Sequence, residues 1–263
     1  MIENWVVYGR EIDEAPSITG VDLQFADSAP DEERPTALRV AVSFLEMDES
    51  GLPRGDEFEA MEGVEEMLVE ALEPTGAVLV ARRSHEGERA FYFYGPRGDA
   101  ARAAAEGALA GLAGRESSVQ AATDPDWSVY FDDLLPDAME LRHFFDEMVV
   151  AQFEQAGDPL VVPRPVTHFI YFTDAADRDR FAAAAEANGF KTEAFEDEEG
   201  EDGETVGLRL ERDDAINLEH ITEVTGGLMM VAEEAGGRYD GWEAMVIQPG
   251  GEHPPFPAPP SAQ

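Results

Sequence analysis

The apolar positions of this chain change period several times, and each change marks an element. Val21, Leu23 and Phe25 alternate with Asp22 and Gln24, and Leu38, Val40, Val42 and Phe44 alternate with smaller or polar neighbours. Both patterns predict half-buried strands, because side chains on a strand point to opposite faces in turn. Over DEFEAMEGVEEMLVEALEP the spacing becomes three or four, with Phe58, Met61, Val64, Leu68 and Leu72 in one stripe. That is a helix, with Asp56 placed to cap it and Pro74 to stop it. AVLVAR (77–82) and AFYFY (90–94) read as strands around the turn-like SHEGE, alanine-rich 98–113 as a helix, and SSVQAA (117–122) as a closing strand. From residue 36 onward the order is β-α-β-β-α-β.

The order then returns. VTHFIYF (166–172) is apolar and β-rich, and 174–189 is helical, opened by Asp174 and closed by Gly189. FKTEAF (190–195) and ETVGLRL (204–210) read as strands joined by EDEEGEDG. A helix follows in which Ile221, Val224, Leu228, Val231 and Ala235 keep the helical rhythm, then Gly236–Gly237 and a last strand, YDGWEAMVI. Two successive β-α-β-β-α-β units predict an α+β protein of two consecutive ferredoxin-like sandwich modules. Between them, Leu141, Phe144, Phe145, Met148 and Phe153 suggest an extra linking helix after Pro136, with Asp137 near its first turn. The division this gives is 1–136 for an N-terminal domain, 137–248 for a second, and 249–263 for a proline-rich tail with little to bury.

Charge changes the picture most. The 263 residues carry 57 acids against 18 bases, a net of −39, with Lys191 the single lysine. Nucleic-acid binding needs a basic patch to neutralise phosphates. Arg82–Arg83 is the only adjacent basic pair, which argues against direct nucleic-acid contact. Such acidity suits either a high-salt host, where it maintains solubility, or a ligand for a basic partner. The absence of cysteine excludes disulfides, zinc–thiolate sites and cysteine nucleophiles. No apolar stretch reaches the length of about 18 residues that a membrane span needs, and MIENWVVYGREIDE lacks the pattern of a secretion signal, so a cytoplasmic protein is expected.

Candidate chemistry is sparse. His143 and Glu147 lie one helical turn apart with Glu140 three residues earlier, but the HExxH pattern is missing and acids are dense throughout, so no metal and no cofactor are expected. His168 alternates with apolar residues on a strand, which suits a hydrogen-bonded, partly buried imidazole. No GxSxG, P-loop or dinucleotide fingerprint occurs, and the reading is non-enzymatic. EAFEDEEGEDGE (193–204) has eight acids in twelve positions. Its Glu196, Asp197, Glu198, Glu199, Glu201 and Asp202 read as a self-repelling hairpin loop or as an electrostatic contact for an arginine-rich partner. In GGRYDGWEAMVI (236–247) the glycine pair suits a helix end, and Asp240–Gly241 suit a turn or bulge. Tyr239 and Trp242 can bury area at that corner. Alternatively, Tyr239, Asp240, Trp242 and Glu243, with His168, form a partner-recognition surface.

Two resemblances rest on these motifs. PRPVTHFIYF, NGF (188–190) and GGRYDGWEAMVI, over roughly residues 138–248, resemble the family of regulators of ribonuclease activity B, the inhibitors of ribonuclease E. NWVVY (4–8), PSITGVDL (16–23), SGLPRGDE (50–57), FYFY (91–94) and DPDWSVYFDDLLP (124–136) resemble a bacterial domain of unknown function, number 695 in its series. The first resemblance implies a ferredoxin-like fold and a protein partner, a non-catalytic scaffold region of a ribonuclease E-type enzyme. The added N-terminal domain and the extreme charge depart from that family and leave other targets open: an adaptor or immunity-like protein, or a small-ligand binder or hydrolase using the cleft between modules.

Overall fold

The computed structural model describes residues 4–112, 114–196 and 206–247. It is an α+β structure with two antiparallel sheets, divided into the compact units Met1–Leu141 and Arg142–Gln263. The first unit contains β1 (Trp5–Ile12), β2 (Ala15–Asp22), β3 (Thr36–Ser43), α1 (Glu57–Leu72), β4 (Val78–His85), β5 (Glu88–Gly95), α2 (Ala100–Leu109) and β6 (Ser117–Thr123). Its sheet has the order β1-β2-β4-β5-β3-β6. Leu38, Val40, Val42, Phe91 and Phe93 pack against Met61, Val64, Leu68 and Leu72 of α1, the stripe that the sequence spacing indicates. Each such buried side chain contributes about 1.5–3 kcal/mol.

Three expectations for this unit are corrected. Val21, Leu23 and Phe25 do not share a strand: β2 ends at Asp22, whose carboxylate accepts the Gln24 N–H at 3.0 Å and turns Leu23–Phe25 into a single 3-10 turn. β2 instead pairs with β1 in a hairpin whose two turn residues, Asp13 and Glu14, have positive φ values of 50° and 67°. That is the twist-compatible hairpin turn, built here without glycine. In α1, Phe58 is exposed and Asp56 makes no capping bond, while Glu57 turns inward to Arg115. A cation supplied by a segment 58 residues later decides that face.

The opposite face of this sheet is closed by residues 124–134. The Asp124 carboxylate accepts from the Tyr94 hydroxyl at 2.5 Å and from the Ser128 and Val129 amides at 2.9 and 3.0 Å. Trp127 is fully buried and stacks on Tyr94 with ring centroids 3.9 Å apart. Tyr130 donates to the Asp22 carbonyl at 2.7 Å, and Tyr8 to that of Leu134 at 2.8 Å. Burial raises the pKa of Tyr94 and of Tyr130, so both remain neutral donors.

The chain enters the second unit through α3 (Ala138–Gln155). The Asp137 side chain accepts the Glu140 amide and the Glu140 side chain accepts the Asp137 amide, each at 2.8 Å, a reciprocal capping box. The unit continues with β7 (Arg164–Phe172), α4 (Ala175–Ala187), β8 (Lys191–Glu196), β9 (Val206–Asp214), α5 (Leu218–Glu234) and β10 (Gly237–Ala244), and its sheet has the order β10-β7-β9-β8. Asp174 caps α4 through the Ala176 amide, and Gly189 leaves it at φ +87°. Ile170, Phe172, Leu208 and Leu210 pack against Phe181, Ala185 and Ala232.

The helical faces here follow the apolar spacing only in part. On α3 the buried stripe is Arg142, Asp146, Val150 and Phe153, while Phe145 and Met148 are exposed. On α5 Ile221, Val224, Leu228 and Ala235 pack inward as the spacing indicates, with Thr225, Gly226 and Ala232 buried beside them, while Val231 is exposed. In both cases polar residues occupy inward positions because they find partners there. Glu196 is exposed at the end of β8. Asp197, Glu198, Glu199, Glu201 and Asp202, and the tail 249–263, lie outside the described residues. Among the described residues, no helix is long and apolar enough to cross a membrane.

Candidate functional site

β10 is the strand that carries most of the sequence-marked residues, and one irregularity arranges them. Tyr239 pairs with Ile170 of β7 and Gly241 with Phe169, which leaves Asp240 as an extra residue, a β-bulge. Tyr239 and Trp242 are three apart, so on a regular strand they would face opposite ways. The bulge resets the alternation. Both side chains are therefore buried on the helix-covered face, and Asp240 and Glu243 are exposed. The glycine pair before the strand divides two tasks: Gly236 takes φ +77° at the end of α5, and Gly237 admits the Phe172 ring, which lies 2.4 Å from where a Cβ would stand.

Under this corner is a buried polar cluster. His168 of β7 is paired in register with Trp242 and shares a 2.8 Å hydrogen bond with the Tyr239 hydroxyl through Nδ1. The Trp242 indole N–H donates to Asp146 Oδ1 at 2.8 Å, and the Thr225 hydroxyl donates to Asp146 Oδ2 at 2.5 Å. Arg142 reaches the same carboxylate at 2.9 Å, and its guanidinium lies 5.6 Å from the Tyr239 ring centroid. Phe153 stacks on Trp242, with centroids 5.9 Å apart. Three elements thus converge on Asp146, which is completely buried. Burial raises its pKa, against the pull of Arg142 and of the Thr225 and Trp242 donors.

His168, Tyr239 and Trp242 are marked by the sequence pattern, and the structure brings them together. Arg142, Asp146 and Thr225 are not marked by it. The available signal was the spacing of Arg142 and Asp146, one turn apart on the predicted helix, which reads equally as a solvated pair. Asp240 bonds Arg238 at 2.7 Å on the outer side. Of the weighed metal-binding trio, Glu140 is bonded to Arg10, and His143 lies 3.4 Å from the Thr222 hydroxyl. On the helix side of the sheet, α4 and α5 leave a cavity of about 300 Å³ lined by Phe181, Phe190, Arg212, Leu228 and Val231.

His168 gives the cluster a pH dependence. Burial pushes its pKa down from 6.5 to about 4, with Asp214 opposing and Arg212 and Arg142 adding to the fall. Between those values the unfolded chain binds the proton and the folded chain does not, so stability rises with pH through this window and is lost on acidification. The contribution is about 3 kcal/mol at full extent, from about 1.4 kcal/mol for each unit. Measured by chemical denaturation from pH 7 to pH 4, the stability difference between the protein and His168→Gln should change by that order. A difference independent of pH would refute the assignment.

The fold and the site define an α+β protein of two antiparallel-sheet units, with a buried polar cluster fastening the last strand of the second. Its chain belongs to the family of unknown function DUF695, whose sequence model matches residues 3–135. Residues 143–244 match the model of the family Regulator of ribonuclease activity B. Both matches fall in the order, and on the segments, that the short motifs indicate. No curated protein matches the chain. A crystal structure of an unknown protein from Galdieria sulphuraria is similar over 80% of this chain and 99% of that one, at 16% identity and a TM-score of 0.22.

Proposed function

We propose that this protein is a non-catalytic regulator that acts by binding another protein, with a ribonuclease E-type enzyme as its target. The observation that carries the reading is the match of residues 143–244 to the Regulator of ribonuclease activity B model. In this reading, 1–136 and 137–248 are separate domains of a cytoplasmic protein. The strand order β10-β7-β9-β8, and the order β4-β5-β3-β6 within the larger sheet, support ferredoxin-like modules. The net charge of −39 favours a basic target segment and speeds encounter with it. Asp240 and Glu243 are the exposed contacts on β10, joined by the acids of 196–202. His168, Tyr239 and Trp242 serve from beneath by holding the strand in place.

The test is a titration of the full chain against the arginine-rich scaffold region of ribonuclease E from the same organism, at two salt concentrations. Saturable binding that weakens at the higher salt is expected. The absence of binding by the folded protein at the lower salt would overturn the target.

A further inference from the structure

The four-stranded sheet has a second face, on which none of the unit's helices packs. Its side chains follow from the registers of β10, β7, β9 and β8. Arg238, Tyr171, Gly207 and Phe195 form one row across the strands, Gly241, Phe169, Arg209 and Glu193 the next, and Glu243, Thr167, Glu211 and Lys191 a third. Phe169, Tyr171 and Phe195 are half-buried there, and charged residues make up most of the other side chains in these rows. Tyr171 and Phe195 meet edge to face at 5.7 Å across Gly207. Gly207 is required for this, since a Cβ would stand 2.2 Å from the Phe195 ring.

Every ring on this face lies beside a guanidinium. Arg209 is 5.7 Å from the centroids of both Phe169 and Phe195, and Arg238 is 5.5 Å from that of Tyr171. The cations are in turn held by carboxylates: Arg209 by Glu193, Arg238 by Asp240 and Lys191 by Glu211, at 2.7, 2.7 and 2.8 Å. The side chains of these three cations are 43%, 45% and 83% exposed. Exposed ion pairs of this kind are worth little and exchange readily. With Glu243 and Asp213 added, five carboxylates (Glu193, Glu211, Asp213, Asp240, Glu243) stand against three cations (Lys191, Arg209, Arg238).

We infer that this aromatic face is a docking surface for an extended, arginine-rich protein segment. Guanidinium groups of the partner stack on Phe169, Tyr171 and Phe195 and take over carboxylates that the chain's own cations hold in the free protein. Arginine suits both halves of the surface, since its planar cation stacks on rings and bonds carboxylates in a fork, where lysine offers a point charge. A four-stranded sheet with aromatic rings is also the format that stacks single-stranded RNA. Here the excess of carboxylates around the rings repels phosphates and favours the peptide. The inference rests on the reading of the chain as a binder of proteins, and it assigns that binding to a specific face.

The experiment titrates the full chain with a short peptide of alternating arginine and glycine, its lysine counterpart of equal charge, and a short single-stranded RNA. The titration is repeated with Phe169→Leu/Tyr171→Leu, which keeps apolar area but removes two rings. Its folding is checked by its circular dichroism and melting temperature. The arginine peptide should bind about tenfold more tightly than the lysine peptide, and the double variant should lose about tenfold and with it the preference. Equal binding of the two peptides, an unchanged folded variant, or RNA that binds and competes with the peptide would each overturn the proposal. The ribonuclease E scaffold region is measured beside them. If the variant retains full scaffold binding, the face is wrong and the regulator reading stands. If arginine-selective binding occurs without scaffold binding, the face stands and the target is wrong.

Discussion

Asp146→Ala is expected to destabilise the second unit by about 3–5 kcal/mol, the cost of removing one partner from a buried ion pair. The substitution leaves the Arg142 guanidinium buried without its counter-charge, orphans the Trp242 indole N–H, and leaves the Thr225 hydroxyl only the longer bond to the Thr222 carbonyl at 3.3 Å. Because the chain has two units, a single unfolding midpoint does not report the loss. Hydrogen exchange read peptide by peptide does: protection should fall in β7, α5 and β10 and persist in the sheet of the first unit. Unchanged protection in β10 would refute the role given to Asp146. The double substitution Arg142→Met/Asp146→Leu should recover part of the loss, since it removes both charges together.

Trp127→Ala should cost the first unit about 3–5 kcal/mol, the range for truncating a large buried aromatic side chain. Trp127 has no exposed surface, and it contacts Tyr94, Tyr130 and Phe25, with ring centroids 3.9, 5.9 and 5.6 Å away. Its indole N–H has no hydrogen-bond partner among the described residues, so the loss is one of packing alone. Trp127→Phe should therefore recover much of it, as urea unfolding followed by exchange in β3 and β5 would show. A cost below about 1 kcal/mol for the alanine variant would mean that segment 124–134 is not part of that core.

The two substitutions mark where sequence reasoning works and where it stops. Trp127 lies in DPDWSVYFDDLLP, whose aromatic density is plain, but its stacking partner Tyr94 comes from a different element. Asp146 reads as one acid among many. On α3 the sequence marks Leu141, Phe144, Phe145, Met148 and Phe153; Phe153 is buried, yet Phe145 is 42% exposed and Met148 47%, with Arg142 and Asp146 inside. The donors that permit this burial stand 79 and 96 residues further along the chain. Local periodicity carries no trace of them.

By itself the sequence determined the order of elements from β3 to β10, because side-chain period is a local property: two residues for a strand, between three and four for a helix. It determined the ends of α4 through Asp174 and Gly189, whose capping also needs nothing distant, and it carried the motifs of both families. Tertiary structure decided the rest. β1 and β2 pair through the turn at Asp13 and Glu14 and join the sheet through β4, and α3 turns its charged side inward only because Thr225 and Trp242 supply donors. The alternation of β10 is reset at Asp240, which buries Tyr239 and Trp242 together, only when the strand pairs with β7. Desolvating a polar group costs more than any local propensity contributes, so the inward face of a helix or strand goes to the residues that find partners there.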